Sequence, residues 1–377
     1  MSLGEHVPKL RFPGFEGEIK SRSLGSLCRI STGKLDANMS SPNGKYPFFT
    51  CSRETLHIDS YSFDCEAILI AGNGDIGHTK YYSGKFDAYQ RTYVLHKFQE
   101  CAHFLQCAID KYLPIKVRME TQGGAMPFIK LSTLQELLLP IPHSDEQQEI
   151  AKFISLLDSR IDAQRKLVEL LKKHKRGLIK RLFQPNEHTK WKSVRLGDVG
   201  TFHKGAPLSK ADISEDGKPF ILYGELYTTY GEIIKDVVRR TTAEIDIPYL
   251  SRCGDVIIPT SGETAEEIAT ASCVMSDGVV LGGDLNIYRS EHIDGRFLAY
   301  AVRFIISRDI SRIAQGVSVV HISATELKRI SVSIPSKDEQ IRIVSMIENY
   351  DNRILHSQEI LMKMETTKDG LLQQLFV

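Results

Sequence analysis

Two stretches of the chain place apolar residues at alternating steps of four and three. The positions are Ile150, Ile154, Leu157, Ile161, Val168, Leu171, Leu178 and Leu182 in 145–183, and Ile343, Ile347, Tyr350, Ile354, Leu361, Met364, Leu371 and Leu375 in 338–376. Such spacing keeps one face of an α-helix apolar. It predicts two long helices with these sixteen residues as their helix-pairing seam.

Each apolar pattern is interrupted twice by polar residues. The interruptions are Gln164 and Lys175 in the first stretch and Ser357 and Lys368 in the second, and equivalent ones lie 193 positions apart. Polar residues in such a seam lower stability but fix the register. The matched interruptions therefore predict that the two helices pair with each other, and we expect them to run antiparallel.

The helices belong to an internal duplication. Residues 141–150 resemble 334–343, and the same offset of 193 holds to Leu182-Phe183 and Leu375-Phe376. Upstream the likeness is weaker: Leu24-Gly25 parallels Leu196-Gly197, 65–72 parallels 253–260, and 128–132 parallels 319–323. Two copies of one globular unit, each followed by a helix, are the simplest interpretation.

The boundaries follow from these repeats. We predict a first globular domain at 1–143, a helix at 144–183, a linker at 184–190, a second domain at 191–335 and a helix at 336–377. Strands are expected at 67–71, 92–96, 135–140, 255–259 and 285–289, and shorter helices at 101–112 and 295–307. Capping boxes are expected at 144–147 and 336–339. The predicted fold class is α+β: two mixed α/β domains, related by a pseudo-two-fold and separated by two long antiparallel coiled-coil helices.

Composition limits the classes of function. The formal net charge is +1, which argues against a polycation that coats nucleic acid. Basic residues are densest in 172–176 and at Lys180-Arg181, and a solvated helix face explains that run about as well as phosphate contact does.

Cysteine and histidine usage argues against metal or disulfide chemistry. The seven cysteines include no C-x-x-C pair, and the twelve histidines show no H-E-x-x-H spacing. We therefore expect no metal site and a reducing cytoplasm. No apolar run approaches the roughly 20 residues of a membrane helix, so no membrane contact is expected.

One motif resembles a nucleotide-binding loop. Gly72-Asn73-Gly74-Asp75-Ile76-Gly77 follows an apolar strand and matches G-x-G-x-x-G. The residues after it favour a strand instead of the required helix, and the second copy lacks the glycines, so a glycine-rich turn is the preferred interpretation. Because neither a P-loop nor a methyltransferase or nuclease motif is found, the chain is expected to be non-catalytic.

The remaining candidates are polar residues in loops that follow strands. Arg and Lys suit guanine edges and phosphates, while Asn and Gln suit adenine. The predicted DNA-binding residues are Lys34, Arg53, Asn73, His78, Lys80, Arg91, Arg118, Gln122 and Lys130 in the first copy, and Lys204, Lys210, Arg239, Arg240, Thr260, Ser261, Gln315, Ser318 and His321 in the second. Any single one of these residues is more simply explained as an ordinary polar residue on the protein surface. The prediction of DNA binding therefore depends on the whole set of residues.

Several of these features resemble one known family. They are the opening Lys9 to Phe15, the Leu-Gly starts at 24 and 196, the Pro-x-x-x-Glu-Gln helix openings at 142–147 and 335–340, and the two Leu-Phe helix ends. Together they resemble the specificity subunit of type I restriction-modification systems, over nearly the whole chain. The second copy opens with Trp191 as in the family, whereas the first has Lys20 where members often carry Trp.

The resemblance implies a function that the chain performs with partners. Each globular domain would read one half of a bipartite site in double-stranded DNA, and the helices would set the gap between the halves. Two methyltransferase subunits would dock on the chain, and restriction and translocase subunits would join that core. S-adenosylmethionine, ATP and magnesium would be bound by those partners and no cofactor by this chain.

Two other classes of function compete with this interpretation. A coiled-coil scaffold that binds only proteins would explain the helices and the near-neutral charge. A nucleotide-dependent enzyme would depend on 72–77 alone. If the chain does read DNA, matching helices with differing globular domains predict two different half-sites and an asymmetric target, because identical domains would read an inverted repeat.

Overall fold

The computed structural model describes residues 8–120, 128–185, 190–314 and 320–376. The chain divides into two compact units: Met1–Arg165 with Glu359–Val377, here called the first unit, and Lys166–Gln358, called the second unit. The division falls within both long helices, so each unit combines a globular part with a portion of each helix. The predicted domain boundaries, which separate the helices from the globular parts, stay predictions.

The first unit is mixed α/β, as predicted. Its elements are β1 (Lys20–Ser23), α1 (Leu24–Leu27), β2 (Arg29–Thr32), β3 (Tyr46–Phe49), β4 (Leu56–Ile58), β5 (Phe63–Ala71), β6 (Thr79–Ala88), β7 (Thr92–His96), α2 (Ala102–Glu120), α3 (Leu131–Gln135), β8 (Leu138–Ile141) and the start of α4 (Ser144–Leu182). A six-stranded sheet has the order β2-β7-β5-β6-β3-β4, and β1 pairs with β8. Within that sheet β3 runs parallel to β6 and the other pairs are antiparallel.

The central strand β5 is apolar on both faces because each face covers a core. Ile68 and Ile70 pack against α2 through residues such as Phe104. Ala67 and Leu69 point to the opposite core, which contains Phe86. A strand buried on both sides reads as an uninterrupted apolar run, which is why 67–71 is recognisable in the sequence.

The second unit repeats this plan with additions. Its elements are β9 (Lys192–Arg195), α5 (Leu196–Val199), β10 (Thr201–Lys204), β11 (Lys218–Ile221), α6 (Glu225–Thr228), β12 (Ile233–Ile234), β13 (Arg239–Thr241), β14 (Asp255–Pro259), β15 (Ser261–Gly262), α7 (Ala265–Ile268), β16 (Ser272–Val274), β17 (Val280–Leu281), β18 (Leu285–Arg289), α8 (Gly295–Phe304), α9 (Ser307–Ile313), β19 (Val320–His321), α10 (Ala324–Leu327), β20 (Ser331–Ile334) and most of α11 (Lys337–Leu375). The sheets have the orders β10-β18-β14-β16-β12, β13-β11-β17, β15-β19 and β20-β9.

The second core is built in the same way around β14. Val256 and Ile258 pack with Phe297 of α8, and Ile257 faces a separate core with Leu226. The central strands of the two units therefore use alternate residues for two cores each.

The long helices pack antiparallel within each unit, as predicted. In the first unit two ion pairs join the helices: Asp158 lies 2.5 Å from Lys368, and Arg165 lies 2.6 Å from Glu365. The residue later in α4 therefore pairs with the residue earlier in α11, as antiparallel packing requires. In the second unit Lys175 of α4 lies 2.6 Å from Asp351 of α11. Ile179, later in α4, shares a core with Ile347, which is earlier in α11.

All sixteen predicted seam residues are buried or half-buried. Other large apolar residues on the same helices, including Leu156, Leu167 and Leu355, are exposed. Ile179 and Val344, which the prediction left out, are fully buried because they pack into the globular core of the second unit.

Several local predictions need correction. Residues 135–140 are not one strand, because α3 occupies 131–135 and β8 begins at Leu138. The helix expected at 101–112 continues to Glu120 through Pro114, and the one expected at 295–307 is two helices, α8 and α9. No capping box forms at 144–147, because the Gln147 side chain is used elsewhere; at the second position the Ser336 hydroxyl accepts from the Glu339 N–H at 3.4 Å.

Candidate nucleic-acid interface

Four segments of the first unit meet at one edge of its large sheet, here called the first edge: 50–55, 72–78, 89–91 and 128–130. Backbone hydrogen bonds join them: the N–H of Ile129 donates to the carbonyl of Gly72 at 2.8 Å, and the N–H of Gly72 donates to Arg91 at 3.0 Å. The N–H of Asp75 donates to the carbonyl of Cys51 at 3.2 Å. The strands therefore fix the loops that carry most of the predicted residues.

Five predicted DNA-binding residues lie in these segments, Arg53, Asn73, His78, Arg91 and Lys130, and the side chain of Lys80 in β6 reaches them. The Lys80 Nζ donates to the Ser52 carbonyl at 3.3 Å and to the Thr55 hydroxyl at 3.1 Å. Arg53 lies 3.9 Å from Asp75 with both side chains largely exposed, so this pair restrains the guanidinium weakly. The cations of the first edge are partly offset by carboxylates, because Asp75 lies beside Arg53, Glu54 acts on Lys80 and Glu120 acts on Lys130.

The surroundings of His78 at the first edge favour its neutral form. Burial lowers the pKa of His78, and the charges of Arg53 and Lys80 lower it further. Burial also lowers the pKa of Lys80. A neutral imidazole can both donate and accept a hydrogen bond, which suits a base edge better than a phosphate. A small cleft of about 240 Å³ at the first edge is lined by Gly72, Arg91 and Lys130, among other residues.

The second unit has a corresponding edge, here called the second edge, formed by 204–206, 260–262, 282–285 and 320–322. The N–H of Ile322 donates to the carbonyl of Thr260 at 2.9 Å, and the N–H of Thr260 donates to the carbonyl of Asp284 at 2.8 Å. Ser261 pairs with His321 between β15 and β19. The predicted Lys204, Thr260, Ser261 and His321 therefore come together.

The two edges share one backbone framework. Ile129, Gly72 and Arg91 make the same two hydrogen bonds as Ile322, Thr260 and Asp284. The predicted parallel of 128–132 with 319–323 was therefore out of register by two residues, because it matched Ile129 with Val320. A further pair agrees, because Gly33 donates to Thr92 at 3.2 Å and Gly205 donates to Leu285 at 3.0 Å.

At both Gly33 and Gly205 a Cβ atom would lie 1.8 Å from a carbonyl oxygen, that of Ala88 and that of Gly282. Glycine is required at these two positions because the backbone segments approach so closely.

The other predicted residues are more dispersed. Exposed Lys34 follows Gly33, outside the four segments of the first edge. Arg118 is in the last turn of α2 and its Nε donates to the Pro114 carbonyl at 3.3 Å, and Lys210 lies in a 3₁₀ turn at 210–212. Arg239 pairs with Glu225 at 3.0 Å, and Arg240 donates to the Gly217 carbonyl at 2.9 Å. Gln122, Gln315 and Ser318 lie outside the described residues.

Sequence reasoning missed the role of the two glutamines at the helix openings. Gln147 accepts from the Cys101 N–H at 3.1 Å, and its amide donates to the Pro142 carbonyl at 3.0 Å. Gln340 accepts from the Asp294 N–H at 2.8 Å and donates to the Pro335 carbonyl at 3.1 Å.

Each glutamine is 1% exposed and fixes the start of α2 or α8 against a long helix. The repeated Pro-x-x-x-Glu-Gln motif could have revealed this role. The capping box expected in the second copy uses Glu339, so capping does not explain why Gln340 is present in the repeat.

The basic run of α4 is partly accounted for by ion pairs. Lys172 lies 2.9 Å from Glu169, and Lys175 lies 3.3 Å from Glu232 and 2.6 Å from Asp351. Lys175 therefore acts within the second unit, while Lys173, Arg176, Lys180 and Arg181 are exposed. A solvated face and a phosphate contact both remain open for those four.

The glycine motif at 72–77 is a turn. It joins the antiparallel strands β5 and β6, with Gly74 and Gly77 at φ of +64° and +75°. A dinucleotide fingerprint requires a following helix whose N-terminus faces the pyrophosphate, and β6 begins at Thr79 instead.

The second unit also has a cleft that is separate from the second edge. It measures about 880 Å³ and surrounds the start of β14, whereas the second edge follows the end of that strand. Its prominent charges are paired internally: Arg289 with Asp255 at 2.9 Å and Arg296 with Asp294 at 2.9 Å. The cleft therefore does not add to the candidate interface.

The described residues contain neither a membrane-spanning helix nor a cluster of metal-binding side chains. None of the helices there is both long and apolar enough to span a bilayer. Nor does this part of the chain bring three or more His, Cys, Asp or Glu side chains together as a metal ion would require.

Sequence comparison finds one family. The family model described as the type I restriction modification DNA specificity domain matches residues 16–173 and 188–365, one match for each copy. The specificity subunit of the type I restriction enzyme EcoDI from Escherichia coli is 33% identical over 178 residues, which is 46% of this chain and 40% of that protein. The MjaVIII specificity subunit from Methanocaldococcus jannaschii is 22% identical over 283 residues, 69% of this chain and 66% of that protein. The chain thus spans less than two thirds of these relatives.

Structural comparison supports the fold. The S subunit of a type I restriction-modification system from M. genitalium has a TM-score of 0.64 at 19% identity, with 99% of both chains covered. A chain from a structure titled for complex assembly and conformational transition of the type I R-M system has a TM-score of 0.59 at 16% identity, with 97% of both covered. At such low identity these similarities establish the architecture and not the bases or partners bound.

Proposed function

The chain belongs to the type I restriction modification DNA specificity family, and from this premise we propose that it is the DNA-reading subunit of a type I restriction-modification complex. Each unit reads one half of a bipartite site in double-stranded DNA, through its first or second edge. The chain itself performs no catalysis.

The observation that carries the proposal is the shared framework of the two edges. Equivalent backbone hydrogen bonds place equivalent loops at the end of a central strand in each unit. The side chains on that framework differ: Gly72 and Arg91 in the first unit correspond to Thr260 and Asp284 in the second. Since base edges are distinguished by donors and acceptors, two different edges imply two different half-sites and an asymmetric target.

The low net charge of the chain fits a subunit that binds DNA together with partner subunits. The whole chain has a net charge of only +1, and its cations at the first edge are concentrated in loops. Phosphate neutralisation by lysine and arginine supplies most non-specific affinity for DNA. We propose that two methyltransferase subunits supply the rest of that contact and that restriction and translocase subunits join them. S-adenosylmethionine, ATP and magnesium are expected on those partners, and the complex is expected in the cytoplasm.

The proposal is tested by co-expressing the chain with its cognate methyltransferase subunit and mapping methylated adenines across a genome by single-molecule sequencing. A bipartite asymmetric motif with a fixed gap is the expected result. Replacing 1–143 with the corresponding domain of another family member should change one half of the motif, and replacing 191–335 should change the other. A stable complex without new methylation would instead favour a protein-binding scaffold.

The helices provide a separate test. We propose that α4 and α11 set the number of unread bases between the half-sites. Inserting seven residues at equivalent points of both helices, within 150–182 and 343–375, keeps the apolar faces in register and lengthens each helix by about 10 Å. The gap in the methylation motif should then grow by about three base pairs while both half-sites stay the same.

A further inference from the structure

Asp284 occupies a special place at the second edge. Its carbonyl accepts the N–H of Thr260 at 2.8 Å, as the carbonyl of Arg91 accepts the N–H of Gly72 at 3.0 Å in the first unit. Asp284 and Arg91 are thus equivalent residues, one acidic and one basic, at the same point of the framework. Both side chains are exposed.

The backbone at Asp284 is also unusual. Its φ is +58°, in the left-handed region that non-glycine residues rarely adopt. Its neighbours at 282 and 283 are glycines, so the sequence has glycines available at this turn and still places an aspartate at the left-handed position. A residue held in such a conformation at an exposed loop is a reason to look for a function.

The carboxylate has capacity for a ligand. One of its oxygens, Oδ1, accepts the Thr260 hydroxyl at 3.3 Å, which orients the group. An ionised carboxylate has two oxygens and only accepts hydrogen bonds, so Oδ2 can accept a further donor.

A carboxylate at a DNA-binding edge has one favourable type of partner. Phosphates repel it, so backbone contact is disfavoured. In the major groove the donors are exocyclic amino groups, on cytosine N4 and adenine N6. The equivalent Arg91 has only donors, which suit guanine O6 and N7 or a phosphate.

We propose that Asp284 is a specificity-determining residue of the second unit, which accepts a hydrogen bond from the exocyclic amino group of a cytosine or adenine in the second half-site. This inference depends on the DNA-reading function proposed above. It assigns opposite hydrogen-bonding preferences to equivalent positions of the two units: an acceptor at Asp284 and donors at Arg91.

The test uses Asp284→Asn and Asp284→Gly in the complex with the methyltransferase subunit, with genome-wide mapping of methylated adenines. Both replacements tolerate a positive φ, so the turn should persist. We expect Asp284→Gly, which removes the acceptor, to reduce the preference for cytosine or adenine at one position of the second half-site by about tenfold, since a good base contact contributes roughly 1–3 kcal/mol of discrimination. Asp284→Asn keeps one acceptor oxygen and gains an NH2 donor, so it should move the preference at that position towards adenine. The first half-site and the gap should be unchanged.

Two controls separate reading from turn stability. Thr260→Val removes the hydroxyl that orients the carboxylate but leaves the carboxylate in place, so it should weaken the same preference less than Asp284→Gly does. Asp236→Asn changes an exposed aspartate of the same unit and should leave the motif unchanged.

The outcomes are distinguishable. A relaxed position that is normally cytosine or adenine supports the inference, and its identity tells which amino group is read. An unchanged motif in both Asp284 variants overturns it, as does an equal loss of methylation at all sites with a lower melting temperature, which would indicate a purely structural aspartate. If the unaltered chain directs no methylation, the proposed function itself fails and the inference with it.

Discussion

The two edges show which parts of a duplicated binding surface are kept and which are changed. Gly33 and Gly205 make equivalent close approaches to a neighbouring strand, and Ile129 and Ile322 make equivalent backbone hydrogen bonds. The side chains on this framework differ, most clearly where Arg91 corresponds to Asp284. Backbone contacts therefore maintain the position of the loops, and side chains are free to change what the loops recognise.

The helix pairs give a second comparison. Lys175 bonds Asp351 in the second unit and Lys368 bonds Asp158 in the first, and both residues of the two pairs correspond at an offset of 193. Their surroundings differ. The Tyr300 hydroxyl also donates to Asp351 at 2.7 Å, whereas Cys107 stands at the equivalent position in the first unit.

The largest predicted effect tests the shared framework. Gly33→Ala and Gly205→Ala each place a Cβ 1.8 Å from a backbone carbonyl oxygen, so strands must separate. We expect each to lower the stability of its own unit by about 3 kcal/mol, in the range of severe steric substitutions. Hydrogen exchange at backbone amides would measure the loss unit by unit.

Gly177→Ala is the matched control for those two variants. No atom lies within 4 Å of a Cβ there and the residue is inside α4, so stability should rise by up to about 1 kcal/mol. Equal and small effects at Gly33 and Gly205 would show that the close approaches are not needed.

The next prediction concerns the glutamines that hold α2 and α8. Gln147→Ala and Gln340→Ala each leave a backbone N–H, that of Cys101 or Asp294, without its acceptor. A buried polar group without a hydrogen-bond partner lowers stability by about 1–3 kcal/mol. We therefore expect each variant to lower the free energy of unfolding of its unit by roughly 2 kcal/mol, as measured by urea denaturation. Exposed Gln148→Ala is the control and should have little effect. A loss in one unit only would show that the motif has different roles in the two copies.

A smaller effect distinguishes the two lysine pairs. Lys175 is 12% exposed and faces two carboxylates, whereas Lys368 is 26% exposed and its partner Asp158 is 47% exposed. Lys175→Met should therefore cost about 1–2 kcal/mol, because it leaves Glu232 and Asp351 without their cation. Lys368→Met should cost less than about 1 kcal/mol, as solvent-exposed pairs do. Thermal melts of both variants would check the order, and a larger loss for Lys368→Met would contradict it.

The secondary structure was predictable from the sequence where it depends on interactions between residues close together in the chain. The long helices were predicted to within two residues at each end, and β7, β14 and β18 agree at both ends, because apolar periodicity and buried runs are local signals. The strand expected at 135–140 was wrong, because the run of leucines there serves α3 and β8 in turn.

The candidate site was less accessible to sequence reasoning. The structure brings Arg53 and His78 together at one edge and Thr260 and His321 together at the other, and their contact with DNA stays a prediction. The expectation that the candidates lie in loops was wrong for Lys80, Ser261 and His321, which belong to β6, β15 and β19. Asp284 was missed, because an acidic residue does not match the expectation of a basic surface, and its equivalence to Arg91 depends on hydrogen bonds between residues distant in the chain.

The smallest predicted effect is a pH dependence specific to the first edge. Burial lowers the pKa of His78 below its ordinary value of 6.5, and Arg53 and Lys80 lower it further. The unfolded chain then binds this proton more readily than the folded one, so His78 makes the protein less stable as pH falls from about 6.5 towards the lowered value. His78→Gln removes this contribution, so the stability of the unaltered chain relative to the variant should decrease between pH 7.5 and 5.5 in thermal melts. Arg53→Gln removes one of the nearby charges and should reduce the same trend. A relative stability that stays constant or rises on acidification would show that His78 is protonated as easily in the folded chain as in the unfolded one, and the cationic character inferred for this edge would have to be revised.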